Sequence, residues 1–253
     1  MKTQNYNTIL INRTNKKKMF VLLIDPEKHT ETSLKRICEL AEKSRPDFIF
    51  IGGSQIVGSI EKSVNIIKQE TDIPIILFPG HTSQLSSNID SMLFLSLTSG
   101  RNSKYLIEHQ IESARYIKEH NIEAIPTSYI LIEGGQQSAV EIISNTRPYN
   151  PLTEIETITN TAIASELLGF KLIYLEAGSG ASRPISKNII NTVKQNTTLP
   201  IIVGGGIKTI EDLNNALIGG ADIVVVGNHF ESHPEHLPEF TNYINQYNKK
   251  HET

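Results

Sequence analysis

The chain has 253 residues, an apolar fraction of 38% and a formal net charge of -3. That length holds one large α/β barrel or two small domains, and the slightly acidic balance argues against a nucleic-acid-binding surface, which carries a basic excess. Its single cysteine, Cys38, cannot form an internal disulfide, so a reducing compartment is expected. Residues 1–18 are polar, with a Lys16-Lys17-Lys18 cluster and no apolar stretch of the secretory kind. No run reaches the roughly 20 apolar residues of a membrane span. The reading is a soluble, cytoplasmic protein with a polar N-terminal extension.

Residues 19–24 read as a buried strand that stops at Asp25-Pro26, since proline cannot continue a ladder. Asp25 thus stands at the carboxyl end of a strand. A helix follows over 30–44, with Leu34, Ile37, Cys38 and Ala41 on one face. The second strand, 48–51, ends in Gly52-Gly53-Ser54-Gln55, and a helix is predicted from about 58 to 70. A third strand over 73–78 is closed by Pro79-Gly80. Residues 81–90 then form a short, Ser-rich segment, too weakly amphipathic for a crossover helix, before a strand over 92–97. A loop or stub is predicted in place of the third helix, leaving a groove on the barrel flank.

A strong helix is predicted over 105–120 and a strand over 124–132. Arg147, Pro148 and Pro151 make 141–151 look irregular, ahead of a helix over 153–168. The strand over 171–175 runs into Glu176-Ala177-Gly178-Ser179-Gly180-Ala181, and 186–195 is helical. Two Val- and Ile-rich runs then end in glycine, one at Gly204-Gly205-Gly206 and one at Gly227-Asn228. Helices over 210–218 and 234–249 complete the chain. With no linker and no repeat, the pattern predicts an α/β fold: a single (β/α)8 TIM-type barrel over 1–253, its third helix reduced to a loop or stub.

Polar residues just past the strand ends of such a barrel share one face. Here they include Asp25, Lys28, Ser54, Gln55, Tyr129, Tyr174, Glu176, Ser179, Gly205, Gly206, Gly227 and Asn228. Two glycine-tipped ends on successive strands suit phosphate, whereas Gly204-Gly205-Gly206 alone also reads as a tight turn. No two-histidine cluster or cysteine set with zinc spacing occurs among these residues. A hard cation needs only one or two protein oxygens when phosphates supply the rest, and Asp25 and Ser54 offer them; either residue taken alone reads first as a strand-end cap or turn partner. Tyr174 and Glu176, two apart, share one face of their strand. Glu176 is either a proton acceptor or a carboxylate tied to the amides of 178–180.

Ile24-Asp25-Pro26-Glu27-Lys28, Gly52-Gly53-Ser54-Gln55, Tyr174-Leu175-Glu176-Ala177-Gly178-Ser179-Gly180, Gly204-Gly205-Gly206-Ile207 and Val226-Gly227-Asn228 together resemble a motif series. It is similar to that of the geranylgeranylglyceryl phosphate synthase family, which includes heptaprenylglyceryl phosphate synthase, from about residue 19 to the last helix. The resemblance implies a magnesium-dependent prenyltransferase that joins sn-glycerol 1-phosphate to geranylgeranyl diphosphate, giving an ether-lipid precursor and diphosphate. A heptaprenyl donor is the alternative within the family; a sugar-phosphate isomerase or lyase and a phosphometabolite-binding barrel are the alternatives outside it. Carried over by position, Asp25 and Ser54 bind the magnesium. Gly205, Gly206, Gly227 and Asn228 hold glycerol phosphate, with Tyr174, Leu175, Glu176, Ala177, Gly178, Ser179 and Gly180 alongside. Glu176 takes the proton of the glycerol 3-hydroxyl, and Tyr174 places the glycerol and faces charge on the allylic carbon. The flank groove receives the prenyl tail.

Two departures stand out. Many members carry a lysine where this chain has Leu23, and the chain has no tryptophan, which some relatives use to limit tail length or anchor an interface. The resemblance further implies a homo-oligomer, dimer or hexamer, with transient membrane contact for product release and no nucleic-acid partner.

Overall fold

A computed structural model of the chain describes residues 3–53 and 59–251, so the expected cation ligand Ser54 lies outside the described residues. Eight strands follow one another around a closed barrel: β1 (Met19–Ile24), β2 (Phe48–Ile51), β3 (Ile75–Leu77), β4 (Ser91–Leu97), β5 (Glu123–Leu131), β6 (Leu172–Glu176), β7 (Ile201–Gly204) and β8 (Ile223–Val226). Pairing is parallel from β1 through β4 and from β5 through β8. Every residue of β2, β6, β7 and β8 is buried, as their unbroken apolar runs require of strands covered on both faces. Of the described residues, 3–53, 59–93, 113–124 and 226–251 form one compact unit, and 94–112 with 125–225 a second. Among the described residues no helix is long and apolar enough to cross a membrane.

In the first unit, α2 (Glu31–Ser44) starts at Thr30, whose side chain accepts from the Ser33 N–H, and buries Leu34, Ile37, Cys38 and Ala41 as its spacing predicts. The helix after β2 is α3 (Glu61–Glu70). In place of a third crossover helix there is one 3₁₀ turn, Thr82–Gln84. Its buried Gln84 donates from Nε2 to the Gly53 carbonyl at 2.8 Å and accepts the Gly80 N–H at 3.0 Å, so the stub braces the end of β2. The predicted final helix, 234–249, opens as a 3₁₀ turn, and a further helix that the pattern does not show precedes it. A short α9 (Asn228–Ser232) leads into a 3₁₀ turn begun by Pro234, and α10 (Leu237–His251) follows. Phe20, Phe230 and Phe240 meet edge-on or tilted with centroids 5.3–6.2 Å apart and fix this end of the chain.

The N-terminal extension is more ordered than its polarity suggests. Residues 4–14 form α1 (Gln4–Thr14), which buries Asn5 and Ile9. The buried Glu123 carboxylate accepts the N–H groups of Asn5 and Tyr6, both at 2.9 Å, and Asn5 Nδ2 donates to Ser91 Oγ at 2.9 Å. A side chain at the start of β5 therefore satisfies two of the orphan donors of α1. Glu123→Ala should cost about 1–2 kcal/mol in urea unfolding, in the range of a lost helix cap. It should also speed tryptic cleavage at Arg13 and the lysines after it; unchanged cleavage would show that α1 is held by other contacts.

The predicted 105–120 helix opens as a π-helical turn, Lys104–Glu108, before α4 (His109–Glu119). Ser96 Oγ donates to the Leu106 carbonyl at 2.7 Å, which satisfies an acceptor inside the widened turn. Part of the stretch expected to be irregular is helical. A capping box between Ser138 and Glu141 starts α5 (Ala139–Ser144), and the irregular chain begins at Asn145, whose φ is 48°. The remaining helices are α6 (Ile155–Leu167), α7 (Lys187–Asn196) and α8 (Ile210–Gly219).

Candidate active site

Strand register assembles one set of the predicted site residues within the second unit. Glu176, the last residue of β6, pairs with Leu131 on one side and Gly204 on the other, and two residues earlier Tyr174 lies between Tyr129 and Ile202. The Tyr129 and Tyr174 rings are tilted with centroids 5.3 Å apart. The Tyr174 hydroxyl and a Glu176 carboxylate oxygen both sit over the bare Cα of Gly204, where a Cβ would come within 2.5 Å of the hydroxyl and 2.8 Å of the carboxylate. Glycine ends β7 because these two groups occupy the space.

Glu176 is buried, and burial pushes its carboxyl up to about 7 despite the opposing Gly178 N–H and Tyr174 hydroxyl. Its Oε1 accepts the Gly178 N–H at 2.8 Å, so the tie to the loop amides exists at one oxygen. Burial, reinforced by the Glu176 charge, holds both phenols well above the ordinary tyrosine value, so they stay protonated at neutral pH. A neutral-pH carboxyl beside phenols that keep their protons is suited to proton transfer.

The glycine loops pack main chain on main chain. Gly205 and Gly206 have φ of 81° and 72°, in the left-handed region. A Cβ on Gly205 would collide with Glu176 Oε1 and lie 2.9 Å from the amide nitrogens of Ala177 and Gly178. Leu175 and Ala177 are buried, Gly178 backs onto Ser138, and Gln136 Nε2 donates to the Gly180 carbonyl beside Ser179. Gly205→Ala should cost about 1–3 kcal/mol in urea unfolding through the left-handed backbone. It should also lower turnover by displacing Glu176, and a stable, fully active variant would refute this packing.

The predicted residues at the end of β1 lie in the first unit. Asp25 follows β1 and caps the 3₁₀ turn Pro26–Lys28, accepting the Glu27 N–H at 3.1 Å. Both carboxylate oxygens lie across Gly53, where a Cβ would stand 2.7–2.9 Å away. Burial raises the Asp25 carboxyl, partly offset by the Glu27 N–H.

The sequence profile of the PcrB family matches residues 12–243. The chain belongs to the PcrB family. It is 43% identical over 231 residues to the geranylgeranylglyceryl phosphate synthase of Flavobacterium johnsoniae, a match covering 91% of this chain and 95% of that protein. The synthase of Zunongwangia profunda is 44% identical over 217 residues, covering 85% and 92%. The crystal structure of (S)-3-O-geranylgeranylglyceryl phosphate synthase from Thermoplasma acidophilum, in complex with its substrate sn-glycerol-1-phosphate, gives a TM-score of 0.89 at 32% identity, covering 95% of this chain and 98% of that one. The PcrB match spans Asp25, Glu176 and both glycine loops.

Two features had no counterpart in the motif series. Glu231 in α9 is a part-buried carboxyl raised by burial and then by the charge of Asp25, with Asn228 Nδ2 3.3 Å from its Oε1. Its only signal in the sequence is its place three residues after Asn228, on a helix that the pattern does not reveal. Leu23 packs on Gly227, where a Cβ would lie 3.2 Å from its Cβ and Cδ2. An aliphatic side chain therefore replaces the ammonium expected from many members, and Lys28 is the ammonium that Asp25 and Glu231 both sense.

Proposed function

We propose that this chain is a prenyltransferase that joins sn-glycerol 1-phosphate to geranylgeranyl diphosphate, forming an ether-lipid precursor and releasing diphosphate. The observation that carries the reading is Glu176, a buried strand-end carboxyl lifted to about 7 beside the Tyr174 hydroxyl, over Gly204. In the reaction the glycerol 3-hydroxyl oxygen bonds to the allylic carbon while the bond from that carbon to diphosphate breaks. The electron pair leaves on diphosphate. Glu176 accepts the hydroxyl proton, which its raised pKa allows near neutral pH. Tyr174 positions the glycerol and turns its ring toward positive charge on the allylic carbon. The left-handed turn of Gly205 and Gly206 lets main chain approach the phosphate, and Gly227 and Asn228 are the further phosphate residues that the motif series implies.

Magnesium belongs to the same reading. Asp25 and Glu231 are part-buried carboxyls with raised pKa, and the charge of Asp25 contributes to the shift of Glu231, a pairing that a bound divalent cation would relieve. Asp25 would hold the ion, with Ser54 as the partner expected from the motif. When bound, magnesium neutralises charge on the departing diphosphate. Cytoplasmic residence, assembly as a dimer or hexamer and transient membrane contact at product release complete the proposal.

The test is incubation with radiolabelled glycerol 1-phosphate, magnesium and either geranylgeranyl or heptaprenyl diphosphate. Label should pass into organic solvent, faster with the geranylgeranyl donor. A faster heptaprenyl reaction would reassign the tail, and binding of glycerol 1-phosphate with no transfer from either donor would leave a barrel that only binds.

A further inference from the structure

The strand ends carry no histidine cluster, but the segment after β8 does: it reads His229-Phe230-Glu231-Ser232-His233-Pro234-Glu235-His236. We propose that His233, Glu235 and His236 form a site for a late first-row divalent metal ion, zinc foremost, with His229 as the outer partner that orients His236. The set shares no residue with the catalytic assignments above.

Local geometry gathers the ligands. His233 is the last residue before the 3₁₀ turn Pro234–His236, and the His236 N–H donates to the His233 carbonyl at 3.1 Å. In a 3₁₀ turn, side chains three apart eclipse one another. The two imidazoles accordingly stack with centroids 5.2 Å apart and planes 12° apart. Pro234 supplies the φ that begins the turn. One ligand atom from each of His233, Glu235 and His236 lies within 4.8 Å of the other two. His233 Nδ1 is 3.4 Å and His236 Nε2 4.0 Å from Glu235 Oε1. Zinc–ligand bonds of about 2.0–2.1 Å at tetrahedral angles put ligand atoms about 3.3 Å apart, so small rotamer adjustments close the site.

A fourth histidine, His229, backs the cluster. His236 presents Nε2 toward Glu235, while its Nδ1 lies 2.9 Å from His229 Nε2. With Nδ1–H donating to His229, the Nε2 lone pair of His236 is free for a metal. Such an outer hydrogen bond is how metal-bound histidines are usually fixed in tautomer and orientation. His229 is itself held against Phe230 and Phe240, with centroids 5.4 and 5.5 Å away. Two imidazoles, one carboxylate and an open position for water suit zinc, cobalt or nickel rather than magnesium, which prefers oxygen ligands. A bound ion would join the end of α9 to the start of α10.

The test uses the full-length chain without a polyhistidine tag, stripped with chelator and titrated with cobalt(II), then with zinc(II) against a chromogenic chelator. One equivalent per chain is expected, with visible cobalt d–d bands and a higher Tm in zinc. His233→Ala and His236→Ala should each lose the cobalt bands and at least about tenfold in affinity. His229→Phe, which keeps the ring packing, should lose about 10–100-fold, the usual effect of removing an outer partner. Asp25→Ala should bind zinc like the parent. If an alanine substitution perturbs the apo fold, seen as a lowered metal-free Tm, Glu235→Gln provides the same reading. The proposal is overturned if the variants bind zinc as the parent does, or if the parent shows no saturable binding below millimolar metal.

Discussion

Glu176→Gln should lower kcat by about 10²–10⁴-fold, the range for a removed general base, and leave the affinity for glycerol 1-phosphate within a few-fold. Glutamine keeps the shape over Gly204, and its amide oxygen can still accept the Gly178 N–H that Glu176 accepts at 2.8 Å. What it lacks is a site for the departing proton. The parent needs Glu176 ionised, and that carboxyl titrates at about 7, so kcat/KM should rise with unit slope in pH up to about 7 and level off above it. In Glu176→Gln that limb should vanish. An acid limb of the same midpoint in both proteins would assign it to another group and remove Glu176 from the proton transfer.

The same substitution should raise stability. In the unfolded chain this carboxyl has its ordinary value of 4.5, against about 7 when folded. Between those values the folded protein holds a proton that the unfolded chain has lost, so stability falls as pH rises from 4.5 to about 7 and is lowest above that. Converted at 1.36 kcal/mol per pH unit, the difference is about 3 kcal/mol. Glu176→Gln should therefore unfold in urea at higher concentration than the parent at pH 8, with most of the gain gone at pH 4. A residue that costs stability in its working state is expected where chemistry, rather than packing, set its identity.

The barrel was legible because its strands are apolar, β-branched runs that end at Pro or Gly, and because the polar 81–90 segment could not make a helix. Long-range partners were not. α1 is ordered by Glu123, 118 residues from Asn5, and the π turn at Lys104–Glu108 is accommodated by Ser96 from β4. The α5 capping box stands in the sequence as Ser138 and Glu141, but Arg147, Pro148 and Pro151 outweighed it in a window that it shares with irregular chain. In the site, spacing placed Tyr174 and Glu176 on one face, yet the pKa of Glu176 arises from burial, which depends on the neighbouring strands and loops. Glu231 was illegible for the same reason: its significance comes from the charge of Asp25, far away in sequence.

Asp25→Ala is expected to lower kcat/KM for the prenyl diphosphate on the order of 10³-fold, the scale of several kcal/mol of lost charge stabilisation at the leaving group. Glycerol 1-phosphate binding should stay near the parent value. The asymmetry follows from placement. Among the described residues Asp25 accepts the Glu27 N–H and lies across Gly53, whereas the left-handed glycines assigned to the phosphate, Gly205 and Gly206, follow a different strand. Removing a part-buried carboxylate whose pKa is already raised by burial should cost the fold little. It should also let Glu231 titrate lower, because the charge of Asp25 is one of the causes that hold its carboxyl up. Titrating magnesium at saturating glycerol 1-phosphate separates the roles: the variant should need more magnesium for half-maximal rate, while isothermal titration with glycerol 1-phosphate alone should not change. Parallel loss of both would make Asp25 a cap that merely holds the turn after β1, and the metal role would pass to another carboxylate, with Glu231 the first to test.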